Sequence, residues 1–276
     1  MLRTTLRGLT RTPYYVLTAG IAIIFLFPLV WAAYASVAPR GGSAQAEGFG
    51  IGNYVKLLNY DAGLGTYVLN SVIVSGLTVI MTTVVALLAG YAFARFAFIG
   101  KNVLFILVLG ILMVPSASLL IPLYVLLGSV GLSNSLFGLA LVLTMYQLPF
   151  SIFMMRISFE AVPAELEESA LVDGTTSFGA LWYILTPAVL PGIVTIALYA
   201  FLAAWNDFIA PLILINDSSL APLPLAIANL RQQAMGAIDY GVTEAGVVVL
   251  ALPCVVLFLV LQRFYIKGFM SGALKG

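Results

Sequence analysis

The chain has 276 residues; 62% are hydrophobic, only 8% are charged, and the formal net charge is +1. An ordinary soluble domain carries roughly 25% charged residues, so a water-covered surface is excluded and the chain reads as an integral membrane protein with no sign of a nucleic-acid partner. It has no histidine and one cysteine, Cys254, which excludes an internal disulfide and the usual zinc or haem sites.

In chain order, Arg3, Arg7 and Arg11 precede an apolar run over 14–35. That run exceeds the roughly 7–15 residues of a secretory h-region, so it reads as an uncleaved first span. A bilayer core needs about 20 mostly apolar residues per helix. Stretches 67–94, 103–127, 136–155, 183–205 and 243–265 also qualify, which predicts six spans. Cys254 lies in the last of these and reads as a small buried hydrophobe.

Arg3, Arg7, Arg11, Arg95, Lys101, Arg156, Arg263, Lys267 and Lys275 fall on one side of this arrangement. Arg40, Lys56 and Arg231 fall on the other. The positive-inside bias puts the first side, with both termini, in the cytoplasm. Two longer outer segments follow. Residues 38–66 are rich in Gly and polar side chains, and 206–242 carry Asp207, Asp217, Asp239, Arg231 and several prolines. They are either contact surfaces or plain solvated connections. The expected organisation is 1–66 as tail, first span and outer segment, then 67–276 as a core of five spans with an inner loop at 156–182.

That inner loop holds Glu160, Glu165, Glu167, Glu168 and Asp173. Within it, Pro163 suits a helix start, and Glu165, Glu167 and Glu168 sit near the positive end of the helix dipole. Gly174 can take the left-handed conformation that ends a helix. Leu166, Ala170 and Leu171 or Val172 are expected on one side. The segment reads as a short amphipathic helix outside the bilayer. An acidic helix is repelled by an anionic inner leaflet, which favours docking into a groove on a cytosolic partner.

Glu168-Ser169-Ala170, then Gly174, then Ile184-Leu185-Thr186-Pro187 stand at set spacings. They resemble the inner-loop signature of binding-protein-dependent ABC importers: Glu-Ala-Ala, three residues, Gly, nine residues, Ile-x-Leu-Pro. Ser169 replaces the first alanine and Thr186 the leucine. Further stretches resemble the carbohydrate branch and its maltose-type inner-membrane permeases. These are Asn70-Ser71, Gly90 to Arg95, Phe98 to Lys101, Met113-Val114-Pro115, Ile121 to Tyr124, Trp205 to Phe208 with Pro211, and the tail 268–276. The resemblance runs from about residue 67 to the end.

The chain lacks a phosphate-cradling loop. Its only Gly-Lys, Gly100-Lys101, is followed by Asn102 and has Arg95 where the first glycine should stand. Ionisable groups are nearly absent from the spans, with Glu244 and Asp207 near helix ends, which weighs against a proton-coupled carrier. No acid–base or metal constellation points to an enzyme.

The resemblance implies an all-α, importer-permease (MetI-like) fold with six spans and a cytoplasmic coupling helix. It implies a transport subunit without its own ATPase site or cofactor. Partners would be a second permease subunit in a heterodimer, two cytosolic ATPases and an extracytoplasmic solute-binding protein. ATP-driven alternating access would translocate a sugar. The coupling residues implied are Glu165, Glu168, Ser169, Ala170, Asp173, Gly174 and Pro187. Candidates for a sugar pathway, which favours mixed polar and aromatic linings, are Asn70, Ser71, Ser75, Tyr124, Tyr146, Gln147 and Asn206, although each taken singly reads more readily as a helix-packing group. Alternatives are an importer of another solute, such as glycerol phosphate or a polyamine, and a secondary carrier or channel.

Overall fold

The computed structural model describes residues 12–38, 49–233 and 239–273. Arg3, Arg7, Arg11, Arg40, Lys275 and Gly276 lie outside these, as do the side chains of Arg231, Arg263 and Lys267. The described residues are helical, without strands, and fall into two compact units.

The first unit comprises Met1–Gly63 and Ile227–Leu252. Helix α1 (Thr12–Val37) is apolar around almost its whole circumference and mostly exposed, as suits a helix facing lipid. A short helix, α2 (Gly52–Leu58), folds back onto its end. There Asn53 Nδ2 donates to the Ser36 carbonyl at 2.8 Å, and the Ser36 and Tyr54 hydroxyls lie 2.9 Å apart.

The second unit comprises Leu64–Ala226 and Pro253–Gly276. Its central element is α3 (Leu64–Arg95), 32 residues long, about 48 Å at 1.5 Å per residue. Tyr67, Ser71, Val74, Ser75, Thr78, Thr82, Ala86 and Gly90 form its buried stripe at helical spacing. The small, hydroxyl-bearing residues on that stripe let α6 (Leu136–Glu160) approach closely. At Gly90 a Cβ would stand 2.5 Å from Met155 Cβ and 3.0 Å from the Arg156 nitrogen. Near the Arg95 end, Tyr91, Phe93, Ile152, Met155, Phe159, Leu181, Leu185 and Ile196 build an apolar core.

Between these helices, α4 (Lys101–Gly110) runs through a 3-10 turn at Ile111–Met113 into α5 (Ser116–Ser129). The two halves meet at 102°, so the span expected over 103–127 is broken rather than continuous. The cause is Pro115, which forces Val114 into an extended conformation with ψ 121°.

The span expected over 183–205 is also bent. Helix α7 (Ala164–Val172) is followed by α8 (Ser177–Ala180), a π-turn at Leu181–Leu185, α9 (Thr186–Ala188) and α10 (Leu190–Asn206). Segments Ser177–Ala188 and Leu190–Asn206 cross at 79°. Pro187 and Pro191, four residues apart, each lack the N–H that would continue the ladder, and Pro191 crowds the carbonyl of Pro187. The Thr186 hydroxyl donates to the Leu181 carbonyl at 2.7 Å, occupying an acceptor within the widened turn.

Between 206 and 233 the chain is more ordered than a plain connection, with α11 (Ile209–Leu214), a 3-10 turn at Ser218–Leu220 and α12 (Leu223–Gln233). Helix α13 (Tyr240–Ala273) completes the described chain. Among the described residues, four helices are long and apolar enough to span a bilayer, and six spans result when each bent pair counts as one.

Candidate functional site

Helix α7 is the expected amphipathic helix. Pro163 opens it with φ −54°, and Glu165 and Glu167 fall in its first turn. It closes in a Schellman arrangement: the Thr175 N–H donates to the Ala170 carbonyl at 3.0 Å and the Gly174 N–H to the Leu171 carbonyl at 3.1 Å. Gly174 takes φ +89° and would carry a Cβ into open space, so its need for glycine is conformational alone.

The faces differ from the sequence expectation. Ala170 is buried, but Leu166, Leu171 and Val172 point outward, with Val172 86% exposed. The residue turned inward beside Ala170 is Glu167, 9% exposed. Its carboxylate accepts from the Tyr91 hydroxyl at 2.5 Å and forms an ion pair with Arg95 Nε at 3.1 Å. A second arm of Arg95 donates to the Val162 carbonyl at 2.8 Å, and the Tyr91 hydroxyl also approaches the Ser177 carbonyl at 3.4 Å. A carboxylate is tolerated there because it is paired and hydrogen-bonded. The loop is thus fastened to the end of α3 at residues 162, 167 and 177. Sequence reasoning missed this trio. The available signal was helical phase, since Glu167 shares the face of Ala170 and Gly174.

Glu165, Glu168, Ser169 and Asp173, with Val172, line one surface hollow of about 420 Å³. The Ser169 hydroxyl donates back to the Glu165 carbonyl at 2.7 Å, so the group that distinguishes it from alanine is satisfied within its own helix. Pro187 lies apart from this cluster, at the bend before α10.

The candidate pathway residues divide. Asn70 is buried and donates through Nδ2 to the carbonyls of Ser219 at 2.9 Å and Ala221 at 3.1 Å. Ser71 Oγ accepts from the Leu223 N–H at 2.8 Å. Ser75 is buried beside them and donates to the Ser71 carbonyl. These groups tie the segment 219–223 to α3. Tyr146 donates to the Ser116 carbonyl at 3.2 Å, and Tyr124 is exposed. Gln147 is half-buried, and its Oε1 has no hydrogen-bond partner among the described residues. Asn206 is exposed and donates to the Leu202 carbonyl at 2.8 Å. Half-buried Cys254 lies 3.7 Å from its amide nitrogen.

Long apolar helices, with two bent pairs beside them, define a multi-pass membrane protein. Residues 82–266 match the family described as "binding-protein-dependent transport system inner membrane component", and the chain belongs to that family. It is 37% identical over 224 residues to the probable ABC transporter permease protein YurM of Bacillus subtilis, covering 81% of this chain and 73% of YurM. It is 31% identical to the trehalose transport system permease protein SugB of Mycobacterium tuberculosis, over 98% of this chain and all of SugB. Its fold superposes with a TM-score of 0.79 on a chain of a bacterial ABC transporter involved in import of the acidic polysaccharide alginate, at 19% identity, covering 95% of this chain and 97% of that one.

Proposed function

We propose that this chain is the permease subunit of an ATP-driven sugar importer, with a disaccharide of the trehalose or maltose kind as the first substrate to test. The observation that carries the coupling role is α7: a helix outside the spans whose acidic residues line a hollow with the exposed Val172, and on which Leu166 and Leu171 are each about half-exposed. A solvated helix gains nothing from three outward apolar side chains, whereas a helix seated in a protein groove buries them. In this reading Glu165, Glu168, Ser169 and Asp173 form the docking surface, Ala170 is packed inward behind it, Gly174 ends the helix, and Pro187 sets the bend that follows.

The chain works beside a second, similar permease subunit, and a pair of cytosolic ATPases holds the two docking loops. ATP hydrolysis belongs to those subunits. An extracytoplasmic binding protein delivers the sugar, both termini are cytoplasmic, and 67–276 is the core to which 1–66 is added. The sugar assignment is supported by the end-to-end similarity to a trehalose permease.

The test is crosslinking in native membranes. In a background with Cys254 replaced, a cysteine at Ala164 or Leu171, both exposed, is expected to crosslink to a soluble ATPase subunit. ATP-dependent uptake of labelled trehalose should require that subunit and a binding protein. Crosslinks confined to other loops, or uptake without an ATPase, would overturn the proposal.

A further inference from the structure

Helix α3 is gripped at both ends by loops remote from it in sequence. At one end Tyr91 and Arg95 hold residues 162, 167 and 177 of the docking loop. At the other, Asn70 and Ser71 hold 219, 221 and 223. Between Asn70 and Arg95 lie about 37 Å of helix axis at 1.5 Å per residue.

Stiffness distinguishes α3 from its neighbours. Among the described helices longer than ten residues, it alone contains no proline. The docking loop is also continuous with α6 and α10. However, α6 carries Pro149 in mid-helix, and α10 is set off by the 79° bend. Sharp kinks in helices arise at proline and at π-bulges, and α3 has neither. A displacement of the docking loop therefore reaches the opposite side through α3 with the least loss.

Resting on the importer reading above, we infer that α3 is a strut between the docking loop and the outer segment 219–223. Tyr91, Arg95 and Glu167 are positioning residues at its inner end, and Asn70 and Ser71 at its outer end. Pulling the docking loops together moves the outer segment because both are fastened to one rod. Coupling of this kind is reciprocal in binding free energy, so a ligand held at the outer segment is felt at the docking loop.

The test uses the complete importer, purified through a tag on this chain, with amide hydrogen exchange followed at 164–172 and 216–226 with and without magnesium and a non-hydrolysable ATP analogue. The parent should change at both places. In Glu167→Gln the response at 164–172 should persist, while that at 216–226 falls about fivefold or more. Asn70→Ala should show the same pattern from the far end. If Glu167→Gln fails to assemble, Tyr91→Phe, which removes one hydroxyl, is read in the same way. An undiminished response at 216–226, or loss of both responses together, overturns the strut while leaving the importer reading intact. A parent that responds at neither place overturns the importer reading, and the strut with it.

Discussion

At the scale of single residues, two glycines carry constraints of different kinds. Gly174 sits at φ +89° with free space around it, so a side chain there meets backbone strain of about 1 kcal/mol or more. Gly174→Leu should leave the protein in the membrane yet lower ATPase recovery on purification and abolish uptake. Gly128→Leu, at a helix end without positive φ, should do neither. Gly90 is constrained by contact instead. Gly90→Ala drives a methyl into Met155 and the α6 backbone and should destabilise by about 1–3 kcal/mol in reversible unfolding by mixed micelles. Gly76→Ala on the same helix, with nothing within 4 Å, should not. Ser169→Ala removes a hydroxyl that bonds only within its own helix, so uptake should stay at the parental rate.

At the scale of elements, the spans were legible because lipid demands long apolar runs, and composition alone exposes them. The two bends were not drawn from the same runs, although Pro115, Pro187 and Pro191 stand in them, because hydropathy is blind to backbone geometry. The limits of α7 were legible from Pro163 and Gly174, which act locally. Its inward face was not, because three glutamates lie within four positions and only contact with the distant Tyr91 and Arg95 tells Glu167 from the others. Asn70 and Ser71 met the same obstacle: a polar side chain in a span looks alike whether it lines a path or ties down a loop. The π-turn offers an element-scale prediction. Thr186→Val removes the hydroxyl bonded to the Leu181 carbonyl and should cost about 1 kcal/mol in the same unfolding measurement. An unchanged midpoint would mean that the widened turn needs no such support.

At the scale of the whole molecule, the skewed distribution of Lys and Arg predicts topology. Reporter tags at residues 1 and 276 should both read cytoplasmic, and a tag between Asn216 and Leu220 should read outside. Termini on opposite sides would remove the six-span arrangement. The pairing of Arg95 with Glu167 also bears on how the protein is made. Arg95 leaves the ribosome before α4, α5, α6 and α7 exist, and at about 5–20 residues per second it waits several seconds for its carboxylate. Until then neither its guanidinium nor the Tyr91 hydroxyl has the partner that Glu167 supplies. A nascent chain halted before Glu167 therefore lacks this fastening, and the core around it closes only later still, once Leu181, Leu185 and Ile196 have been added.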